Sequence, residues 1–491
     1  MLFNSLSFAI FLPIVFLLYW FIFNKNIKLQ NLFLLAASYF FYAWWDWRYL
    51  SLVVLCSLTN YAGGLWMMKA DEQKRRKMIL TVCCLISFGV LGLFKYYNFF
   101  VTSFVDAFSM FGIHLEARTL NLILPVGISF YTFHTLSYTI DVYRRKFEPT
   151  KDLISFFLFV SIFPLAMAGP IERATNLLPQ IYKPRTFDYS MAADGMRQIL
   201  WGLLKKIVIA DNCSTYVDLV FNDYQAQSGS TLLLGAILFT FQIYGDFSGY
   251  SDMALGIGKL LGFKFIRNFN YPYFSRDIAE FWRRWHISLT TWFRDYIYIP
   301  LGGSRGSKWL KVRNTFIIFL VSGFWHGANW TFIAWGAYHA VLFLPLILSG
   351  KNRKYTNVVA EERKLPDVKE FFQMGITFFL VVIGWILFRS DTIHQAVYYT
   401  QHIFSSSIFT VPNFSFPGFY IKSRLALSTL IFSLPVLFIT EWFQRKKEYG
   451  LQIDNVKSTF VRWCVYMALI SGTFYFYLYF GQSTTFIYFQ F

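Results

Sequence analysis

Long apolar runs recur along most of the sequence. A helix of about 20 consecutive apolar residues is long enough to cross the hydrocarbon core of a bilayer. Such runs lie at about 7–23, 30–45, 49–68, 78–99, 120–140 and 152–170, and again at about 371–389, 422–441 and 459–480. Because lipid offers no hydrogen-bond partners, a chain crossing it in runs of this length must satisfy its backbone groups as helices. We therefore predict an all-α polytopic membrane protein.

Composition and charge agree with this prediction. The chain is 56% hydrophobic and 15% charged, whereas soluble domains are about 25% charged. The net charge of +18 would suit a nucleic-acid partner, but no recognition motif accompanies it. In a membrane protein, excess Lys and Arg instead mark loops that face anionic lipid. We expect contact with membrane lipid, none with nucleic acid, and no metal site, since the five cysteines have no ligand spacing.

The basic residues between the apolar runs predict an orientation. Positive clusters follow the first, third and fifth runs, and the polar stretch 350–370 precedes the last three. Because cytoplasmic loops collect Lys and Arg, these loops are placed inside and both termini outside the cytoplasm. Termini on one side require an even number of crossings, which we estimate at about twelve, with about 20 residues in each.

The middle stretch, 171–310, does not divide into simple pairs of spans. It mixes apolar runs with the charged residues Lys205, Lys206, Asp211, Asp246, Asp252 and Lys259, followed by the charged segment 276–299. A charge at mid-membrane costs about 2.5 kcal/mol or more, which argues against ordinary lipid-facing spans. We predict re-entrant or interfacial helices that are buried in protein or line a wet cavity. Without an internal repeat or a soluble segment, residues 1–491 are predicted to form a single membrane domain.

A histidine within an apolar stretch is the strongest candidate for chemistry. His326 lies in the run FLVSGFWHGANWTF, with Trp325 and Gly327 beside it and Asn329 three residues on. If this run is helical, Asn329 shares a face with His326 and offers the imidazole a polar partner. A neutral imidazole suits general-base work because its ordinary pKa lies near the operating pH. The alternative is a histidine hydrogen-bonded between helices for structure alone.

The segment WRRWHISLTTW contains the second candidate, His286. Its large apolar residues recur at helical spacing and predict an aromatic stripe: Trp282, Trp285, Leu289 and Trp292. Arg283 and Arg284 lie mainly on the other side. Two interpretations stay open, an interfacial helix with snorkelling arginines and a cavity wall whose basic groups hold an anionic donor. Two further histidines, His134 and His339, stand among aromatic residues and are predicted to be satisfied core histidines.

Three ordered segments resemble the membrane-bound O-acyltransferase (MBOAT) family, most closely its bacterial alginate O-acetylase-like branch. They are DFSGYSDMALGIGKLLGF, NFNYPYFSRDIAEFWRRWHISLTTWFRDYIYIPLGGSRGS and SGFWHGANWTFIAWGAYH, within a core of about 120–350. The likeness extends to SYFFYAWWDWRYL, LPVGISFYTFHTLSYTIDVYR, FPLAMAGPIER and the terminal FIYFQF. It covers most of the chain, and the ordered set of motifs is highly specific.

The resemblance implies a bundle of membrane helices around a central funnel that opens to the cytoplasm, in the bacterial inner membrane. It implies that His326 is catalytic and that His286 lines the same tunnel. For the donor it implies a cytosolic thioester, acetyl-CoA or an acyl carrier, with no resident cofactor. Residues assigned to substrate or donor binding are Trp325, Asn329, Arg283, Arg284 and Trp285.

The implied reaction is the transfer of an acyl group across the membrane to a hydroxyl. The acetyl group passes to an extracytoplasmic esterase-like (SGNH) partner. That partner modifies an exported or cell-surface polysaccharide, such as an alginate-like polymer or peptidoglycan. D-alanyl transfer from a carrier protein to a teichoic-acid-like polymer is the alternative within the class. A transporter, which would explain interrupted helices and buried charge, and a non-catalytic scaffold are the alternatives outside it.

Overall fold

The structure, a computed structural model, describes residues 1–414, 416, 421–454, 456–480 and 486–487. All regular secondary structure in this part of the chain is helical, and loops connect the helices. The first eight helices are α1 Leu6–Leu17, α2 Ile27–Asp46, α3 Leu50–Met68, α4 Gln73–Leu91, α5 Tyr97–Ser109, α6 Ile128–Tyr143, α7 Leu153–Ser161 and α8 Ala174–Tyr182. The next six are α9 Tyr189–Leu203, α10 Asp211–Asn222, α11 Gly229–Leu260, α12 Ile278–Arg284, α13 Ile287–Phe293 and α14 Lys308–His326. The last five are α15 Trp330–Leu348, α16 Val368–Arg389, α17 Ile393–Ile403, α18 Ile421–Phe443 and α19 Thr459–Phe480.

Five helical segments of the described chain are long and apolar enough to cross a membrane. They are Ile27–Met68, Gln73–Ser109, Gly229–Leu260, Trp330–Leu348 and Val368–Arg389. Shorter apolar helices occur at Leu6–Ile22 and Leu427–Phe443. The multi-pass, all-helical prediction is therefore confirmed at this level.

Two of the predicted spans are wrong as continuous helices. In the run 120–140 the helix begins only at Ile128, after Pro125 and Gly127, whose φ of +75° is a left-handed conformation that glycine adopts at little cost. In the run 152–170, α7 ends at Ser161 and a non-helical stretch follows. Pro164 lies just beyond that end, and proline disfavours helical backbone in the residue before it.

The residues group into two compact units. The first contains Met1–Ala192 and Ile257–Ile266, and the second contains Ala193–Gly256 and Arg267–Phe491. In the first unit, the Tyr19 hydroxyl and the Trp20 indole N–H donate to the carbonyls of Leu261 and Leu260, at 3.0 and 2.9 Å. These bonds show how the short segment at the end of α11 joins the N-terminal helices.

Four charged residues of the middle stretch are buried within the second unit as members of ion pairs: Lys205, Lys206, Asp246 and Asp252. The Lys205 ammonium lies 2.6 Å from the Asp252 carboxylate. Lys206 lies 2.8 Å from Asp211 and 2.7 Å from Asp246. Buried charges are tolerated when they are paired in this way. The prediction of burial is confirmed for these four residues, whereas Asp211 and Lys259 are half-buried. Asp246 and Asp252 lie on α11, which is long and apolar enough to cross a membrane, contrary to the prediction of re-entrant or interfacial helices in this stretch.

Candidate active site

A break in the helix between α12 and α13 positions His286. Asp277 caps α12, its side chain accepting a hydrogen bond from the Glu280 N–H. After Arg284 the chain turns extended at Trp285, and His286 adopts φ +43° and ψ +55°. Such left-handed backbone at a non-glycine residue costs about 1–3 kcal/mol and collects at functional sites. A continuous helix over this segment was the wrong expectation, although all four residues of the aromatic stripe are buried.

Asn268, which the sequence did not single out, holds this break in place. Its carbonyl accepts the Ile287 N–H at 2.9 Å, and its side-chain oxygen accepts the Ser288 hydroxyl at 2.6 Å. Its amide in turn donates to the Ser251 hydroxyl at 3.1 Å. Asn268 is fully buried, so these bonds are shielded from water. The residue is a positioning group for the turn that presents His286.

His326 closes α14, and the helix ends there. Gly327 is extended, and Asn329 caps α15 by accepting the Thr331 N–H at 3.0 Å. The Asn329 amide donates to the Asp391 carbonyl at 2.9 Å. The helix ends between His326 and Asn329. The two residues therefore do not share a helix face, as they would have done in a continuous helix.

The two candidate histidines come together in the second unit. Their ring centroids lie 6.4 Å apart, and both side chains are almost completely buried. Trp325 contacts both, with centroid distances of 4.8 Å to His326 and 6.0 Å to His286. Burial lowers the pKa of the His286 imidazole below its ordinary value, which favours the neutral form of that ring.

Other aromatic rings that the sequence did not assign complete the site. Trp335 and Phe388 lie 5.2 and 5.3 Å from His326, and Phe247 packs edge-on against His286 at 4.6 Å. The close crossing of α14 and α15 brings Trp335 there. A side chain at Gly323 would collide with the Phe332 carbonyl, and one at Gly336 with that of Phe319.

The arginines of the candidate segment are engaged with the chain itself. Arg283 donates to the carbonyls of Asn352 and Tyr355, at 2.7 and 2.6 Å. Arg284 bonds the Glu280 carboxylate at 2.8 Å and the Asn357 carbonyl at 2.9 Å. These contacts tie α12 to the polar stretch after α15.

Trp285 is 1% exposed and packs against Phe281 and Trp385, at centroid distances of 5.6 and 4.8 Å. Its assignment to donor binding, like that of the two arginines, stays a prediction.

The remaining buried histidines have different settings. The Nε2 atom of His134 accepts the Glu172 N–H at 3.1 Å, whereas its buried Nδ1 has no hydrogen-bond partner within the described part of the chain, so the expectation of a satisfied core histidine is met at one ring nitrogen. His339 is fully buried and contacts Trp335 and Trp282, at centroid distances of 5.1 and 5.0 Å. Neither of its ring nitrogens has a hydrogen-bond partner within the described part of the chain, so the expectation of a satisfied histidine is not met there.

The membrane-length helices are those of a polytopic membrane protein. The pair of buried histidines supplies the side chains that a general-base site requires. Comparison with known proteins identifies the family. The model described as "MBOAT, membrane-bound O-acyltransferase family" matches residues 41–387, which include both histidines and the core of about 120–350. The chain belongs to this family and is an acyltransferase.

Individual relatives agree with the family assignment. The chain is 43% identical over 409 residues to "Probable alginate O-acetylase AlgI" of Pseudomonas aeruginosa, covering 82% of this chain and 75% of that protein. It is 34% identical over 427 residues to the "Peptidoglycan O-acetyltransferase" of Helicobacter pylori, covering 81% and 78%. It is 30% identical over 289 residues to the "Teichoic acid D-alanyltransferase" of Bacillus subtilis, covering 56% and 71%.

Proposed function

We propose that this protein transfers acetyl from a cytosolic thioester, acetyl-CoA, across the bacterial inner membrane for O-acetylation of an exported or cell-surface polysaccharide. The relatives named for alginate and peptidoglycan acetylation support the acetyl group and the polymer acceptor. The observation that carries the chemistry is the buried pair of His326 and His286, 6.4 Å apart between ring centroids.

In the proposed reaction His326 is the general base. Its neutral imidazole takes the proton of the acceptor hydroxyl, and the hydroxyl oxygen attacks the thioester carbonyl carbon. The tetrahedral intermediate places negative charge on the carbonyl oxygen, which needs a hydrogen-bond donor nearby. Trp325 contacts both histidines, so we assign its indole N–H this role.

His286 completes the transfer of the proton. When the carbon–sulfur bond breaks, the thiolate leaves toward the cytoplasm and requires the proton that the acceptor hydroxyl released. His286 relays that proton from His326 to the leaving sulfur. The products are an ester and a free thiol, so no proton is gained or lost overall. Two histidines suit a reaction whose hydroxyl and sulfur approach from opposite faces of the membrane.

The finer topology is part of the same proposal. We place both termini outside the cytoplasm, with about twelve crossings around a funnel that opens inward. An extracytoplasmic esterase-like (SGNH) partner then receives the acetyl group and decorates the polymer. The five membrane-length helices support the multi-pass arrangement.

The rival within the family is D-alanyl transfer from a carrier protein, which the Bacillus subtilis relative favours. The discriminating experiment deletes the gene, then releases ester-linked groups from surface polymers by mild base and identifies them by mass spectrometry. Loss of acetate with unchanged D-alanine supports acetyl transfer. Loss of D-alanine with unchanged acetate overturns it.

Asn268→Ala is expected to lower the rate of acyl transfer per folded molecule by about tenfold or more. The substitution leaves the buried Ser288 hydroxyl without its acceptor, at a cost of about 1–3 kcal/mol, and it loosens the turn that presents His286. The rate is measured at matched protein levels over a pH series, because displacement of a proton-transfer group alters the pH profile.

The matched control is Asn60→Ala, which removes another fully buried asparagine. The Asn60 amide donates to the Cys56 carbonyl and the Ser87 hydroxyl. Equal rates per folded molecule in both variants would show that Asn268 has only a general structural role.

A further inference from the structure

A small polar cavity lies inside the second unit, beside the positioning residue Asn268. The space in it that a water molecule can occupy is about 20 Å³. This volume is enough for about one water molecule and too small for a sugar, a nucleotide or a thioester donor. Its lining includes six buried side chains that carry a charge or a hydroxyl group: Lys205, Tyr244, Ser251, Asp252, Tyr271 and Glu441.

Tyr271 brings an unused hydrogen-bond donor to this cavity. The residue is 5% exposed, and its hydroxyl has no hydrogen-bond partner within the described part of the chain. Burial raises the pKa of this hydroxyl, and the negative charges of Glu441 and Asp252 raise it further, so the group keeps its proton. Buried hydroxyl groups nearly always bond to protein or to ordered water. Water is therefore the partner that fits both the hydroxyl and the cavity.

Glu441 supplies the matching acceptor. It is 5% exposed, and in the described chain its two carboxylate oxygens share one donor, the Tyr244 hydroxyl, at 2.8 and 3.0 Å. A carboxylate has about four lone-pair sites, so both oxygens can accept further hydrogen bonds. The other buried carboxylate of the cavity, Asp252, is already paired with the Lys205 ammonium at 2.6 Å. A water molecule between Tyr271 and Glu441 satisfies both groups.

The backbone before Tyr271 is paired with the turn that follows α12. The Asn270 N–H donates to the Arg284 carbonyl at 3.0 Å. The Ile287 N–H donates to the Asn268 carbonyl at 2.9 Å. Tyr271 itself has φ +50° and ψ +61°, a left-handed conformation like that of the histidine in the turn. Such backbone persists only where its surroundings fix it, so a hydrogen bond at the Tyr271 hydroxyl stabilises both paired segments.

We propose that this cavity binds one water molecule, which accepts a hydrogen bond from Tyr271 and donates one to Glu441. The bridge ties α18 to the segment 268–271 and thereby positions His286. Tyr271 and Glu441 are positioning residues in this account. Their effect on acyl transfer rests on the proposed function, whereas the water site itself does not.

X-ray radiolytic labelling of the full-length protein in detergent tests the water site. A short X-ray pulse splits water where it lies, and the hydroxyl radicals oxidise side chains beside a bound water even when bulk solvent does not reach them. Mass spectrometry then maps the oxidised residues. We expect Tyr271 and Tyr244 to be oxidised at several times the rate of Tyr42, which is similarly buried and whose hydroxyl donates to the Val126 carbonyl. Equal rates at the three tyrosines would overturn the proposal.

Tyr271→Phe removes the donor and keeps the ring. We expect the oxidation of Tyr244 to fall about threefold or more in this variant, because the water loses one net hydrogen bond. The matched control is Tyr273→Phe, which removes a buried hydroxyl that donates to the Thr240 carbonyl at 2.7 Å and lies outside the cavity lining. The control is expected to leave the oxidation of Tyr244 unchanged. Unchanged oxidation of Tyr244 in folded Tyr271→Phe would overturn the bridge.

The same two variants test the positioning role. Tyr271→Phe is expected to lower the rate of acyl transfer per folded molecule about threefold or more and to alter its pH profile, whereas Tyr273→Phe is expected to keep most of the rate. Equal rates and equal pH profiles in the two variants would overturn the positioning role.

The labelling result is independent of the proposed function. If the wild-type protein transfers no acetyl group, that function fails, and the oxidation of Tyr271 and Tyr244 relative to Tyr42 still decides the water site. If gel filtration shows that Tyr271→Phe is misfolded, the same wild-type comparison decides.

Discussion

Replacing His326 by glutamine is expected to reduce acyl transfer by at least about 100-fold, because general-base catalysis contributes about 10²–10⁴-fold. Glutamine keeps a polar side chain of related size among Trp325, Trp335 and Phe388, so the packing around the site is largely retained. The measurement is ester-linked acetate on cell-surface polysaccharide, at equal amounts of wild-type and variant protein in the membrane.

His339→Gln is the matched control for this prediction. His339 is as buried as His326 and also contacts Trp335. In the proposed mechanism it handles no proton, and its variant is expected to keep most of the acetate once protein levels are matched. Equal loss of acetate in both variants would mean that disturbed packing around Trp335, rather than loss of the base, explains the His326 result.

Glu280→Gln is expected to destabilise the second unit by about 3–5 kcal/mol, the usual cost of breaking a buried ion pair. Glu280 is 1% exposed and lies between Arg276 and Arg284, at 3.0 and 2.8 Å. Removing its charge leaves two nearly buried guanidinium groups without their shared carboxylate. The measurement is the midpoint of thermal unfolding in detergent, followed by loss of the monodisperse gel-filtration peak.

The control for this prediction is an exposed ion pair. Arg48 lies 2.6 Å from Asp46, with 65% of its side-chain surface exposed, and exposed pairs contribute little to stability. Arg48→Gln is therefore expected to leave the midpoint unchanged. If the Glu280→Gln variant unfolds at the same midpoint as the wild type, the ion pairs of Glu280 with Arg276 and Arg284 do not stabilise α12, and the prediction is contradicted.

Much of the helical framework could be predicted from the apolar runs. The runs at 371–389 and 459–480 lie within α16 and α19 almost residue for residue. The burial of Lys205 and Lys206 also followed from the high cost of a charge in lipid. The lengths of α6 and α7 did not follow, because apolar content alone does not reveal where Pro125, Gly127 and Pro164 interrupt a run.

The candidate site was only partly predictable. His326 and His286 stood out because a histidine in an apolar setting is unusual and because both lie in family motifs. The break at His286 was missed, since the spacing of Trp282, Trp285 and Trp292 fits a continuous helix equally well. Phe388 and Asn268 were also missed, because their contacts with the site depend on tertiary packing between segments distant in sequence.

The central claim is that an acetyl group from a cytosolic thioester crosses the membrane at His326. It is tested most directly in sealed, inside-out membrane vesicles, whose outer surface is the cytoplasmic face. Radiolabelled acetyl-CoA is added outside, and label esterified to polymer in the lumen is counted. We predict label in the lumen of wild-type vesicles and background label with His326→Gln at equal protein level. Luminal label at the wild-type rate in the variant vesicles would contradict the claim.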